Sequence, residues 1–302
     1  GVCAAIAVIF LSINDMVIKG LSDDYALHQV VLFRSGIGFV LVLSIIAPLT
    51  DGRRIWRTER LPMHLLRGTF VVCANMLFFT ALAALPLADV VAIFFVSPLV
   101  ITAFSVIFLK EQVGPWRWGA IGVGFIGVMI IVQPGTSAFQ TASLLPICAA
   151  CFYAGLHTLT RKIGNTESAA TMTFYMQIMF IVVCAVIGLA IGDGRFAEQD
   201  NPSLQFLLRA WIWPDAADAP SFLIIGAGIA VAGYLISQAY RVAEAGFVAP
   251  FEYLAMPLAI LWGVIFFDEI PTLPSWIGSI LIVGSGLFTL WRERRVAARV
   301  SA

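Results

Sequence analysis

The spacing of its charges constrains this chain more than any other feature. Long stretches run with almost no ionised side chain, and very little lies between them. Apolar runs of roughly 18 residues or more read as helices that cross a bilayer. Such runs fall at residues 2–19, 27–48, 62–84, 88–109, 116–133, 141–160, 169–191, 221–241, 247–267 and 274–291. Only 12% of the 302 residues are charged and 60% are hydrophobic, with a mean hydropathy of +0.95. A soluble domain carries about twice that charge. The fold class expected is therefore an all-α polytopic membrane protein of ten spanning segments, with no room for a separate soluble domain. The run that begins at Gly1 lacks a basic leader and a small-residue cleavage site, so it reads as the first segment rather than a signal peptide.

The formal net charge of +0 conceals an asymmetry. Basic residues gather after the even-numbered segments and in the tail: Arg53, Arg54, Arg57, Arg60, Arg67, Lys110, Arg117, Arg161, Lys162, Arg241, Arg292, Arg294, Arg295 and Arg299. Lys19, Arg34, Arg195 and Arg209 are the exceptions. Excess Lys and Arg mark the cytoplasmic face, which predicts a bacterial-type inner membrane protein with both termini in the cytoplasm. The loop 192–220 then faces outward, and its PSLQFLLRAWIWP reads as an interfacial helix anchored by Trp211 and Trp213.

The chain repeats itself. ADVVAIFFVSPLVITAFSVIFLKEQVGPWRWGAIGVGFIGV, from residue 88, aligns with FVAPFEYLAMPLAILWGVIFFDEIPTLPSWIGSILIVGSGL, from residue 247. Pro98 matches Pro257 at an offset of 159, while Glu111 matches Glu269 and Trp118 matches Trp276 at 158. The halves divide as 1–137 and 138–302, with five segments in each. An odd number makes the second half enter the membrane from the opposite side, an inverted repeat that places a site near the midplane. The block RGTFVVCANMLFFTALAALPLADVVAIFFVSPLVITAFSVIFLKEQVGPWRWGAIGVGFIGVMIIVQPG resembles the EamA-type repeat of the drug/metabolite transporter superfamily. APFEYLAMPLAILWGVIFFDEIPTLPSWIGSILIVGSG resembles it again in the second half. Within the superfamily the chain looks most similar to YddG-type amino-acid and metabolite exporters, and more distantly to S-adenosylmethionine carriers. The resemblance implies a ten-helix basket whose central cavity is lined mainly by segments 1, 3, 4, 6, 8 and 9.

Charges inside a span cost about 2.5–3.5 kcal/mol on insertion scales, so they mark cavities or pairs. Glu252 reads as a cavity carboxylate for a substrate amine or a coupling proton, or as the structural partner of Arg241. Asp15 stands four residues before Lys19, a favourable helical spacing, and can also reach Arg34; a structural pair of Asp15 with Arg34 is the preferred reading. Asn14 beside it is a candidate cavity residue. Pairs spaced i, i+4 share a helix face, which selects Asn75 with Phe79, Tyr153 with His157 and Tyr234 with Gln238; interhelical hydrogen bonding explains them as readily. Phe94 and Tyr253 occupy matching repeat positions, and Pro98 and Pro257 deprive their carbonyls of an N–H partner. Both prolines are expected hinges, with a static kink as the other reading.

Other motifs are discounted. GVGFIG at 122–127 lies inside an apolar span and follows no strand, so its glycines serve helix packing rather than a dinucleotide. CAAC at 148–151 sits inside a span as well. His28, His64 and His157 are too scattered for a metal site, and no basic stripe suits nucleic acid. No cofactor or metal is expected, and no spaced nucleophile and base suggests an enzyme. The function expected is a secondary transporter exporting small metabolites, amino acids foremost and aromatic or other neutral ones among them, by alternating access. Uptake or exchange of a nucleoside derivative or cationic drug, or a lipid-linked flippase, are the alternatives. Proton coupling through Glu252 and uncoupled facilitation both remain open. The partners are the small-molecule substrate and membrane lipid, and the protein is a monomer or weak homodimer.

Overall fold

The computed structural model describes the backbone of residues 2–50, 52, 55–109, 114–163, 167–242 and 251–300. The side chains of 98, 102, 105, 108, 109, 117, 157, 160–163, 237, 240–242, 290 and 293–300 lie outside that description. Among the described residues the chain is helical throughout. The helices are α1 (Val2–Gly20), α2 (Leu27–Leu49), α3 (Leu61–Leu82), α4 (Leu87–Phe94), α5 (Ser97–Leu109) and α6 (Pro115–Val132). There follow α7 (Leu144–Ile163), α8 (Ala169–Ile191), α9 (Pro202–Leu208), α10 (Ala219–Val242), α11 (Ala255–Phe267) and α12 (Leu273–Val300). Stretches within α1, α2, α3, α8 and α10 are long and apolar enough to cross a membrane, and five shorter apolar helical stretches accompany them. This is a polytopic helical membrane protein.

Local chemistry sets the helix ends. Pro62, Pro115 and Pro202 sit in first turns, where a missing N–H costs nothing. Ser168 and Asn201 cap α8 and α9 by accepting from free backbone amides, Thr171 N and Ser203 N. The glycines of segments 5 and 10 bring α6 and α12 together. A Cβ on Gly127 would stand 2.8 Å from the Gly278 carbonyl, and one on Gly278 would stand 2.6 Å from that of Gly127. With no hydrophobic drive between helices in lipid, such close backbone approach supplies the dispersion contact. Elsewhere α3 packs on α7, α1 on α10, and α2 on both α8 and α10.

One end of the bundle gathers the turns 21–26, 83–86, 192–218 and 268–272; it is called the capped end below. Here the loop 192–218 packs against the helix ends. Phe206 is buried, and Ser203 donates to the Thr80 carbonyl at 2.8 Å. Gln29 grips Ile212 from both sides, accepting from its N–H and donating to its carbonyl. Tyr25 donates to Asp218 at 2.6 Å and accepts from Asp215 N. Burial, then the bond to Asp218, holds the Tyr25 hydroxyl above the usual phenol range. Trp211 stacks on His28 while Trp213 projects outward. The loop is docked on the helix ends through these bonds, while Trp213 and Ile212 stay exposed.

Candidate functional site

Two helix breaks organise the interior. The first falls at Phe95–Val96, between α4 and α5, and the second at Tyr253–Leu254, just before α11. Both lie upstream of the prolines expected to cause them. Pro98 is the second residue of α5 and Pro257 the third of α11, so each occupies a first turn rather than a helix interior. The expected loss at Tyr253 does not occur, because its carbonyl accepts from Met256 N at 3.2 Å. Pro257 itself is exposed on the outer surface of the bundle.

Beside the first break runs a chain of aromatic edges. Phe78 of α3 meets Phe94 edge-on at 5.1 Å between centroids, and Phe94 meets Tyr153 of α7 at 5.2 Å. Edge-to-face packing aligns positive ring edges with negative faces. Two opposite charges act on Tyr153, those of Glu252 and Arg67. Arg67 also donates to the Met172 carbonyl at 3.5 Å. The arrangement is a row of aromatic rings whose phenol feels one carboxylate and one guanidinium. Such a wall can stack a planar ring while the charged groups orient its polar edge.

A second polar group lies between α1 and α2. Asn14 is buried and donates to Asp15 at 3.3 Å. Arg34 is wholly enclosed, its guanidinium set between the rings of Phe79 and Phe180 at 5.3 and 5.0 Å. Asp15 and Arg34 interact electrostatically, yet no hydrogen bond reaches the guanidinium. The expected structural pair is thus a facing of charges rather than a direct bridge, and the rings supply the cation's immediate surroundings. Lys19 pairs with Glu269 rather than with Asp15.

The remaining candidates scatter. Asn75 donates back to the Val71 carbonyl of its own helix at 3.0 Å. Tyr234 and Gln238 are half-buried on α10, and the His157 side chain lies outside the described residues, as does that of Pro98. Tyr253 is buried, tilted against Phe95, with its hydroxyl against Gly286 of α12; it feels the Glu252 charge. Phe78 and Arg67 stand with Phe94 and Tyr153 although the sequence did not single them out. Phe78 is one of 23 phenylalanines, and Arg67 looks in sequence like another cytoplasmic cation.

The EamA-like transporter family matches residues 1–133 and, a second time, 140–291. The chain is 34% identical over 278 residues to the riboflavin transporter of Vibrio cholerae, covering 89% of this chain and 86% of that one. It is 24% identical over 296 residues to the S-adenosylmethionine uptake transporter of Rickettsia prowazekii, covering 98% and 94%. To the pseudopaline exporter of Pseudomonas aeruginosa it is 25% identical over 281 residues, covering 93% and 92%. A solved structure 17% identical in sequence superposes with a TM-score of 0.65 over 98% of this chain and 97% of that one, a likeness of fold. Two successive matches that together span nearly every residue lead to one conclusion: the chain belongs to the EamA-like transporter family.

Proposed function

We propose that this protein is a secondary carrier of the bacterial inner membrane that takes up a planar, polar heteroaromatic metabolite of the riboflavin kind. It works by alternating access between two inverted halves, 1–137 and 138–302, with both termini cytoplasmic and the capped end outward. The aromatic wall carries this reading: Phe78, Phe94 and Tyr153 in edge contact, with Arg67 and Glu252 acting on Tyr153 from either sign of charge. A fused ring system would stack on the wall, and its mixed donors and acceptors would meet both charges. Identity of 34% to a riboflavin transporter supports the substrate class. A second reading, export of a zwitterionic amino acid or related metabolite, draws on the same pair of opposite charges.

Reconstituted protein in liposomes tests both. Labelled riboflavin should enter saturably and be competed by unlabelled riboflavin but not by excess tryptophan. Tyr153→Phe should retain most of the flux, while Tyr153→Ala should lose about tenfold in apparent affinity, the size of one aromatic contact. Saturable tryptophan flux without flavin flux would reject the first reading in favour of the second. An imposed pH gradient should drive accumulation in the native protein and not in Glu252→Gln if that carboxylate carries the coupling proton.

A further inference from the structure

Lys19 is the point where the two halves of the chain meet at the capped end. Its Nζ donates to the carbonyls of Leu82 at 3.1 Å and Leu85 at 2.7 Å, and lies 2.8 Å from Glu269 Oε1. Leu82 is the last residue of α3, where a helix runs out of amide partners, and Leu85 lies in the turn that follows. Glu269 uses its other oxygen, Oε2, to accept from Leu87 N at 2.9 Å, the first amide of α4. Its own N–H donates to the Gly263 carbonyl of α11 at 3.0 Å. One lysine and one glutamate thereby satisfy three backbone groups of the α3–α4 turn and bolt the α11–α12 turn onto it. Both side chains are mostly enclosed, at 10% and 23% exposure. An exposed salt bridge contributes little; this one strands backbone groups when it breaks. Two turns deeper along the same seam, Trp262 of α11 donates to Ser12 of α1 at 3.2 Å.

We infer that the Lys19–Glu269 pair is the outer gate of the transport cycle, and that Asp15 receives Lys19 when the gate opens. The inference rests on the alternating-access reading above. To open a path to the capped end, α11 must part from α1 and α4, and the Lys19–Glu269 pair is what joins them there. The break at Tyr253–Leu254, at the far end of α11, is where such a swing can pivot. A released ammonium needs a new acceptor, and Asp15 lies one turn back on the same face of α1. Asn14 donates to Asp15 over a long 3.3 Å. The structure therefore holds the gate shut, with Lys19 on Glu269 and Asp15 one helical turn back.

Thiol accessibility tests this without any substrate. Ser12→Cys is placed beneath the gate in a chain whose cysteines at 3, 73, 148, 151 and 184 have been replaced. Intact cells are then treated with a membrane-impermeant maleimide. Glu269→Gln, which removes the charge but leaves an oxygen for Leu87 N, should raise the labelling rate about tenfold, the shift expected when a two-state balance moves by one such contact. Lys19→Met should do the same, and the two together should add little. Asp15→Asn alone should slow labelling, because the open state loses its acceptor. Unchanged labelling in both gate variants, each still monodisperse on gel filtration, overturns the inference; faster labelling in Asp15→Asn overturns the part assigned to Asp15. Faster labelling in a protein that moves no flavin would leave the gate standing and reject only the substrate.

Discussion

The two ends of the bundle are held by different kinds of bond. At the capped end, side chains are spent on backbone groups: Lys19 on two carbonyls, Glu269 on an amide, Gln29 on both polar groups of Ile212, and Ser203 on the Thr80 carbonyl. At the opposite end, among the described residues, side chains bond to one another as well as to the backbone. Thr58 donates to Glu167 at 2.7 Å, His64 stacks on Tyr175 at 4.8 Å and stands 3.5 Å from Glu167, and Tyr175 donates to the Trp56 carbonyl. Breaking the first kind leaves buried backbone groups without partners. Breaking the second frees side chains that water and headgroups can take up. Among the described residues the capped end is therefore the costlier of the two to open.

The largest perturbation tests the stiffness of the capped side itself. Gly278→Leu would drive a side chain into the Gly127 carbonyl and Ile131, and should cost roughly 3 kcal/mol or prevent assembly. Thermal unfolding in detergent would register it as a clear fall in midpoint, and a value equal to the native protein's would remove the close α6–α12 approach from the account. Next comes Gln29→Leu, which strands both polar groups of Ile212 at a cost of about 2 kcal/mol. Proteolysis from outside intact cells should then cut near 209–214, where the native loop resists. The smallest effect belongs to Thr58→Val, which removes one bond to Glu167 and should cost about 1 kcal/mol. Hydrogen exchange should quicken at 55–60 and stay unchanged at 209–214. If Thr58→Val loosens its end as much as Gln29→Leu loosens the other, the contrast between them fails.

Hydropathy made some helices legible almost to the residue: the segment read as 169–191 is the helix Ala169–Ile191, and 2–19 is Val2–Gly20, whereas 88–109 is two helices and 274–291 runs on to Val300. That signal is strong because lipid requires every spanning backbone group to be paired within its own helix. Partner choice between helices obeys no such local rule. Lys19 has Asp15 at i−4, and nothing in the sequence says that a glutamate at 269 will displace it. The prolines announced two breaks, but not that each would sit in the first turn of the following helix, with the chain parting just upstream. The loop 192–220 showed an amphipathic pattern without showing that Thr80 and Gln29 would hold it down. The aromatic chain stayed hidden for a different reason: in a chain so rich in phenylalanine, only coordinates can say which rings touch.

Arg34 has a consequence for how this protein is made. A guanidinium entering the bilayer on α2 alone has neither of the two rings that enclose it in the finished structure. Phe79 comes with α3, and Phe180 emerges only after more than half of the chain has been synthesised. At about 2.5–3.5 kcal/mol for an Arg at mid-bilayer, the nascent α1–α2 hairpin should linger at the translocon or under a chaperone's shelter until its later neighbours arrive. Biogenesis, rather than the mature fold, is then where a substitution at Phe180 would first be felt.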